Sequence, residues 1–307
     1  MPSFTHQGLT LTYEADGDPG ATPILLIMGL GMQLTSWPAS LVAQLVERGY
    51  YVIRIDNRDA GLSSKLEHHG SPNLVWAFLK SKMGLKIRSP YSLHDMAGDA
   101  LALLDHLGLA TAHVVGASMG GMIAQVLTAE QPKRVISLTS IMSSSGRRGL
   151  PGPTREAARI LMSRPANPRD PEQVANHYVR LFRIIGSPAY PTSEAVLRER
   201  IRAGAERNSN ASGTARQMLA IAASGSRVRL LQRISRPTLV IHGDADSLVP
   251  LPCGQDTARN VPGALLRVIA GMGHDLPEAL MQPMARMIDA HCRGQAVPQL
   301  DDILQNR

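Results

Sequence analysis

Short runs of aliphatic residues recur along the chain, and most of them lack a polar face. Residues 9–14 (LTLTYE) are an exception, because apolar and polar residues alternate there, which predicts a strand with one exposed face. The later runs are apolar on both faces, as is typical of parallel strands that helices cover on both sides of a sheet. They span residues 23–28, 50–55, 112–115, 135–141, 238–241 and 265–269.

Helical patterns lie between these runs. Ser92 and Asp95 resemble a capping box, and apolar residues follow them at helical spacing until Gly108 stops the pattern. Further helices are predicted over residues 38–48, 119–130 and 277–292. Because strand and helix alternate, the sequence predicts an α/β fold in which helices cover both faces of a mostly parallel central sheet. Ligands of such sheets bind beyond the carboxyl ends of the strands.

Residues 147–234 interrupt this alternation. The segment predicts only helices, over residues 154–163, 171–185, 192–204 and 213–223. Its composition also differs, because residues 147–236 hold 17 arginines against 6 acidic residues. We therefore predict a core of residues 1–146 and 235–307, into which residues 147–234 are inserted as a helical cap. The tail, residues 295–307, is expected to be loosely held.

The formal net charge of +7 does not indicate nucleic-acid binding, because the basic residues are scattered and no zinc or RNA-binding motif accompanies them. The chain has neither a signal-peptide pattern nor the ~18 consecutive apolar residues of a membrane span, so no membrane partner is expected. Cys253 and Cys292 are too few for a disulfide framework and lack metal-ligand spacing. This favours a cytoplasmic protein without a metal or another cofactor.

One serine stands among small residues directly after an apolar run, in residues 113–121 (HVVGASMGG). Ser118 would lie on a turn from strand to helix so sharp that the residues two positions away must lack bulk, and Gly116 and Gly120 meet that demand. The turn would place Ser118 at a helix amino terminus, which favours developing negative charge. By itself, the Gly-x-Ser-x-Gly pattern is also compatible with a structural turn.

A serine hydroxyl becomes a nucleophile only when a base takes its proton and an acid orients that base. For a nucleophile on such a turn, the chain order serine, acid, histidine is expected. Two loops that follow predicted strands supply both partners, residues 242–250 (HGDADSLVP) and residues 270–275 (AGMGHD).

The second loop holds the favoured base, and the first loop holds the favoured acid together with one alternative base and one alternative acid. His274 is favoured as the base over His242, which precedes the acids and is expected to close its strand. Asp246 is favoured as the acid over Asp244, which is expected to cap the turn through its own backbone. The sequence thus nominates Ser118, Asp246 and His274 as catalytic residues.

The motifs GASMGG, HGDADSLVP and GMGHD, in this order, resemble those of the α/β-hydrolase fold family with its Ser-Asp-His triad. Within that family, residues 28–38 (MGLGMQLTSWP) and 54–64 (RIDNRDAGLSS) are similar to segments of small bacterial carboxylesterases related to aclacinomycin methylesterase. The resemblance implies an α/β-hydrolase fold and hydrolysis through a serine nucleophile.

The resemblance also implies an oxyanion hole formed by the backbone N–H groups of Leu30 and Met119. Most family members carry His-Gly where this chain has Met28-Gly29, but a backbone donor does not depend on its own side chain. The sequence leaves open whether Leu30 or a neighbouring glycine points inward.

Several residues are candidates for the substrate side of the site. Ordinary packing is an equal alternative for the aromatic ones, and the charged segment 56–63 (DNRDAGLS) is interpreted as an internal Asp/Arg scaffold rather than a substrate contact, because buried charges need partners. The pocket candidates are Gly29, Met32, Trp76, Tyr178, Phe182 and Val249.

The favoured function is hydrolysis of a small or medium carboxylic ester through an acyl-enzyme intermediate. Hydrolysis of thioesters, lactones or carbon–carbon bonds, and perhydrolysis, would use the same three side chains, so the sequence separates them poorly. A non-catalytic receptor with this fold is the alternative from a different class, because a fold alone does not determine function. The expected partner is a small ester, and no oligomeric state is predicted.

Overall fold

The computed structural model describes residues 1–83, 85–163, 165, 167, 170–208 and 210–305, without the side chains at positions 75, 78, 81, 82 and 171. Its centre is one eight-stranded sheet with the strand order β1-β2-β4-β3-β5-β6-β7-β8. The strands are β1 (Ser3–His6), β2 (Leu9–Asp16), β3 (Thr22–Ile27), β4 (Tyr50–Ile55), β5 (Ala112–Ala117), β6 (Val135–Ile141), β7 (Thr238–Gly243) and β8 (Leu265–Ile269). β2 pairs antiparallel with β1 and β4, and every other pairing is parallel.

Helices connect the parallel strands and cover both faces of the sheet. They are α1 (Ala39–Glu47), α2 (Leu74–Lys82), α3 (Leu93–His106), α4 (Met119–Glu130), α5 (Arg155–Met162), α6 (Pro171–Ile185), α7 (Glu194–Arg207), α8 (Ala211–Ser224), α9 (Val228–Leu231), α10 (Leu251–Asn260), α11 (Met281–Cys292) and α12 (Leu300–Gln305). The predicted doubly covered, mostly parallel sheet is thus confirmed.

The apolar runs form strands because both of their faces are covered. Every residue of β5 and β7 is buried. One apolar layer packs α3 and α4 against the sheet, and the other packs α1 and α11 against its opposite face. The expectation of two covered faces is wrong for β8, where Leu265 and Val268 are exposed. β8 is the last strand of the sheet and has a neighbour on one side only.

The capping box at Ser92 is present, because its hydroxyl accepts the Asp95 N–H and the Asp95 carboxylate accepts the Ser92 N–H. The prediction missed β1, α2, α9, α10 and α12. In α10, Gly254 weakens the helical pattern, yet a Cβ there would overlap the His242 ring, so packing requires this glycine.

All helices from α5 to α9 lie between β6 and β7, in the segment that the composition marked. We call residues 147–234 the insert. The expectation of a loosely held tail is wrong for residues 295–305, since Val297, Leu300 and Ile303 are buried in the α1/α11 layer, and residues 306–307 lie outside the described residues. Within the described residues, no helix is long and apolar enough to cross a membrane.

Candidate active site

Ser118 lies between the end of β5 and the start of α4, in the strained conformation φ 55°, ψ −118°. A Cβ at Gly116 would overlap the Gly120 backbone, and a Cβ at Gly120 would overlap the carbonyl of Ile27. The turn can therefore form only because the residues two positions before and two positions after the serine are glycines.

Neighbouring strands hold the backbone of Ser118 in this conformation. Its N–H donates to the carbonyl of Ile141, at 2.9 Å, and its carbonyl accepts the Ser143 hydroxyl, at 2.7 Å. Although Ser118 occupies the N-cap position of α4, its side chain caps no backbone N–H group. The hydroxyl is thereby left available to another partner.

That partner is His274. Its Nε2 lies 2.9 Å from the Ser118 hydroxyl oxygen, and its Nδ1 lies 2.7 Å from Oδ2 of Asp246. An ionised Asp246 can only accept, so Nδ1 carries the proton and Nε2 offers its lone pair to the serine. The structure thus joins the three nominated side chains in one chain of hydrogen bonds.

Asp246 follows β7 and is buried. Its second oxygen accepts the backbone N–H groups of Leu248 and Val249, at 2.9 and 2.7 Å, which fixes the carboxylate toward His274. Asp244 instead accepts the N–H of Gly271, at 2.6 Å. The expectation that Asp244 caps its own turn is therefore wrong, because its carboxylate bridges to the loop that carries His274.

His242 is completely buried, and its Nε2 lies 2.7 Å from the carbonyl of Val249. Burial lowers the pKa of this imidazole, although the hydrogen bond to Val249 and the charge of Asp246 oppose the shift. His242 Nε2 also lies 3.7 Å from Oδ2 of Asp246, so this side chain contacts the loop that carries the acid. It contacts the acid without reaching Ser118 in the hydrogen-bond network.

The loop after β3 passes directly beside the serine. A Cβ at Gly29 would lie 3.1 Å from Ser118 Cβ and 3.2 Å from the Ala117 carbonyl oxygen. The carbonyl of Gly29 accepts the N–H of Met32, which closes a turn with Leu30 and Gly31 at its centre. Within the described residues, no acceptor is found for the N–H groups of Leu30 or Met119.

The pocket candidates lie in different surroundings. Gly29 and Val249 contact the three side chains or their loops directly, and Met32 packs against the α1/α11 layer. Trp76 is 53% exposed on α2, where the Lys80 ammonium stands over its ring. Tyr178, 40% exposed, and the half-buried Phe182 lie on α6. No hydrogen bond or ring contact links these three aromatic residues to Ser118 in the described part of the chain, so their pocket role stays a prediction.

The charged segment 56–63 makes internal contacts. Arg58 forms a bidentate pair with Asp99, at 2.7 and 2.8 Å. Asp59 forms another with Arg216 of α8, also at 2.7 and 2.8 Å, and accepts the hydroxyl of Tyr91. Burial alone would raise the pKa of Asp59, but the bonds from Arg216, the Leu66 N–H and Tyr91 hold it below its usual value.

Sequence reasoning missed the residues that support the site from the insert. The His274 N–H donates to the carbonyl of Ile185, at 2.6 Å, and the Gly273 N–H donates to the Ser187 hydroxyl, at 2.9 Å. A Cβ at Gly273 would overlap the carbonyl of Gly186. The helical pattern predicts α6, but nothing local in the sequence indicates that its carboxyl end holds the histidine loop.

Comparison with known proteins agrees with this architecture. The model of the alpha/beta hydrolase fold family matches residues 22–278. Rhodomycin D methylesterase DauP of Streptomyces sp. (strain C5) is 30% identical, with 97% of this chain and all of the relative covered. Rhodomycin D methylesterase DnrP of Streptomyces peucetius is 29% identical over the same shares.

Among solved structures, a meta-cleavage product hydrolase from Pseudomonas fluorescens IP01 superposes with a TM-score of 0.73 at 20% identity, covering 96% of this chain and 98% of its own. At this identity, the likeness supports the fold alone. Taken with the family match over most of the chain, it confirms the resemblance found in the motifs: the chain belongs to the alpha/beta hydrolase fold family and is a hydrolase.

Proposed function

We propose that the protein is a serine hydrolase that cleaves carboxylic esters through an acyl-enzyme intermediate. The observation that carries the proposal is the hydrogen-bond chain from Ser118 through His274 to Asp246. A neutral imidazole that is oriented by a buried carboxylate, with its free nitrogen 2.9 Å from a hydroxyl, is arranged to take the proton of that hydroxyl.

In the first half of the reaction, Ser118 Oγ attacks the ester carbonyl carbon while His274 Nε2 takes the hydroxyl proton. The carbonyl π electrons move to oxygen, and their return expels the alkoxide, which takes the proton from His274. In the second half, water attacks the acyl-enzyme with the same base, and the acid is released as Ser118 regains its proton. Asp246 keeps the imidazole in the required tautomer throughout.

The backbone N–H groups of Leu30 and Met119 are the donors for the oxyanion. Met119 occupies the first turn of α4, where helix N–H groups lack intrahelical partners and the dipole favours negative charge. Leu30 lies in the turn beside Ser118. Loss of one such donor typically costs about 3 to 4 kcal/mol of transition-state stabilisation.

The full-length similarity to two rhodomycin D methylesterases supports an ester as the substrate. The insert, as a cap over the carboxyl edge of the sheet, would set which acyl and alcohol groups enter. Its contacts with the loops of His274 and of residues 29–31 support that position. A cytoplasmic location stays a prediction.

A panel of p-nitrophenyl esters with acyl chains of two to twelve carbons tests the activity. Ser118→Ala is expected to lower kcat by about 10⁴- to 10⁶-fold, because no other group can form the acyl-enzyme. Ser40→Ala is the matched control: it removes a hydroxyl from α1 that has no hydrogen-bond partner among the described residues. If the wild-type protein hydrolyses no ester of the panel, the proposal is contradicted.

Labelling with a fluorophosphonate separates an esterase from a receptor with an idle serine. An activated Ser118 is expected to react within minutes, and Ser118→Ala should remove the label. A receptor would be labelled slowly or not at all.

A further inference from the structure

Helix α8 of the insert lies directly on the loop that follows β3. Gly31 adopts φ +67°, and a Cβ there would come within 2.7 Å of the Thr214 hydroxyl oxygen. At the residue before Thr214, a Cβ at Gly213 would overlap the carbonyl of Asp59. Both glycines let the backbones approach more closely than side chains would allow.

One side chain of α8 bridges the two loops at this contact. Gln217 is completely buried. Its Oε1 accepts the N–H of Gly31, at 2.8 Å, and its Nε2 donates to the carbonyl of Arg58, at 2.8 Å. A glutamine meets both needs because its amide holds an acceptor and a donor on one planar group.

Two hydrogen bonds restrict the peptide groups on either side of Leu30, one within the loop and one from Gln217. The carbonyl of Gly29 is turned toward the Met32 N–H, at 3.2 Å. In a planar trans peptide, the N–H points opposite to the carbonyl, so the Leu30 N–H points away from that turn. The next peptide is held at its Gly31 N–H by Gln217. With both planes fixed, the Leu30 N–H cannot rotate without breaking a hydrogen bond.

The geometry points to Gln217 as a positioning residue, which orients the oxyanion donor at Leu30 from the insert without touching the substrate. This inference rests on the proposed function. It assigns to the insert a part in transition-state stabilisation in addition to substrate selection. Oxyanion donors act through pre-organised geometry, so a loop free to turn would lose much of their effect.

Gln217→Met tests the inference, because methionine has a similar length and lacks both hydrogen-bonding atoms. On p-nitrophenyl acetate, kcat is expected to fall by about 10- to 100-fold while KM changes by about 2-fold or less. The affinity for a trifluoromethyl ketone, which forms a tetrahedral adduct with an oxyanion, should fall by the same factor as kcat/KM. The pH profile of kcat/KM should not move, because His274 and Asp246 keep their contacts.

Gln125→Met is the matched control. Gln125 is also fully buried on a helix, and its amide contacts Ser140 and Arg227 rather than the Gly31 loop. A similar drop in Tm is expected, with kcat within about 2-fold of wild type. If Gln217→Met does not fold, Gln217→Asn carries the test, since its amide is one methylene too short to reach the Gly31 N–H.

A folded Gln217 variant with lower Tm but unchanged kcat and ketone affinity would overturn the inference and leave Gln217 a purely structural residue. Failure of the proposed function has a different signature, because the wild type would then hydrolyse no ester or Ser118→Ala would retain its esterase activity, and either result would also overturn the inference. Loss of activity in Ser118→Ala with no effect at Gln217 rejects the positioning role alone.

Discussion

Two faces of the insert use the same arginine–carboxylate chemistry at different depths. On the inner face, Arg216 and Asp59 form a bidentate pair in which both side chains are 0% exposed. On the outer face, Arg198 pairs with Glu172 and Glu194 on the surface. The arginines of the insert therefore form two kinds of ion pair, buried and exposed, and burial sets how much each pair stabilises the protein.

The inner pairs tie the insert to the core. Arg207 at the end of α7 contacts the buried carboxylate of Asp56, at 2.8 Å, and Asp56 also accepts the N–H groups of Leu34 and Leu62. Arg216 of α8 likewise pairs with the buried carboxylate of Asp59, in the same loop as Asp56. Of the two outer pairs, Arg198–Glu172 connects α7 to α6, and Arg198–Glu194 lies within α7. Buried ion pairs therefore bind the inner face of the insert to the core.

The entry and exit of the insert are also joined. Arg227, just before α9, donates to the carbonyl of Ser144, at 2.7 Å, and its backbone N–H donates to the carbonyl of Ser145. Burial lowers the pKa of Arg227 to about 10, which still leaves the guanidinium charged at neutral pH. The segment thus leaves and re-enters the core at one clamped point.

The largest expected effect comes from Arg216→Met. It leaves Asp59 charged and buried without its partner, so the free energy of unfolding should fall by about 3 to 5 kcal/mol. Urea unfolding at pH 7 measures this loss. A loss under about 1 kcal/mol would remove the distinction between the two faces.

The pH dependence separates the core from the insert contact. Burial, with a smaller contribution from His291, lowers the pKa of His113 in β5 to about 4. Its folded pKa lies below its unfolded value, so the unfolded chain binds the proton first and stability falls as pH drops from about 6.5 to 4, by up to about 3 kcal/mol. Urea unfolding over this range should show a shallower slope for His113→Asn.

The pair at Asp59 responds in a different window. Its pKa is held below the usual value, so its contribution is complete above the unfolded pKa and disappears as pH falls through the folded one. If His113→Asn leaves the slope between pH 6.5 and 4 unchanged, the buried histidine is not its source.

Gly213→Ala tests the close approach on the inner face. The added Cβ would overlap the Asp59 carbonyl, so α8 must shift, at an expected cost of about 1 to 3 kcal/mol. Gly204→Ala on α7 is the control, since the nearest atom to its Cβ is Gln33 Nε2, at 3.8 Å. If thermal unfolding gave the same Tm for both variants, the close contact between α8 and the Asp59 carbonyl would be contradicted.

The smallest effect is expected for Arg198→Ala on the outer face. Exposed pairs gain little because water screens them, so the loss should be below about 1 kcal/mol, and added salt should reduce it further. Thermal unfolding at low and high salt measures both. A loss as large as that of Arg216→Met would contradict the comparison.

Sequence patterns predicted the parallel strands well, because short and mostly aliphatic runs mark them. β4, β6 and β8 begin and end where the apolar runs do, and β5 runs two residues further, into the glycine and alanine before Ser118. Helix α10 was missed because Gly254 weakens its helical pattern, and its stability comes from contacts with β7, β8 and α9 rather than from its own residues.

The alternation of strands and helices, the sharp turn at Ser118 and the three loops that carry the nominated side chains could be predicted from the sequence. These are local properties, set by apolar periodicity and by glycines that relieve a steric clash between near neighbours. The pairing of Arg216 with Asp59, the bond from the His274 loop to Ile185 and the bond from Gln217 to Gly31 became visible only in the folded chain. Those partners lie 89 to 186 positions apart along the chain, and many arginines and glutamines could serve equally until the fold brings one of them close.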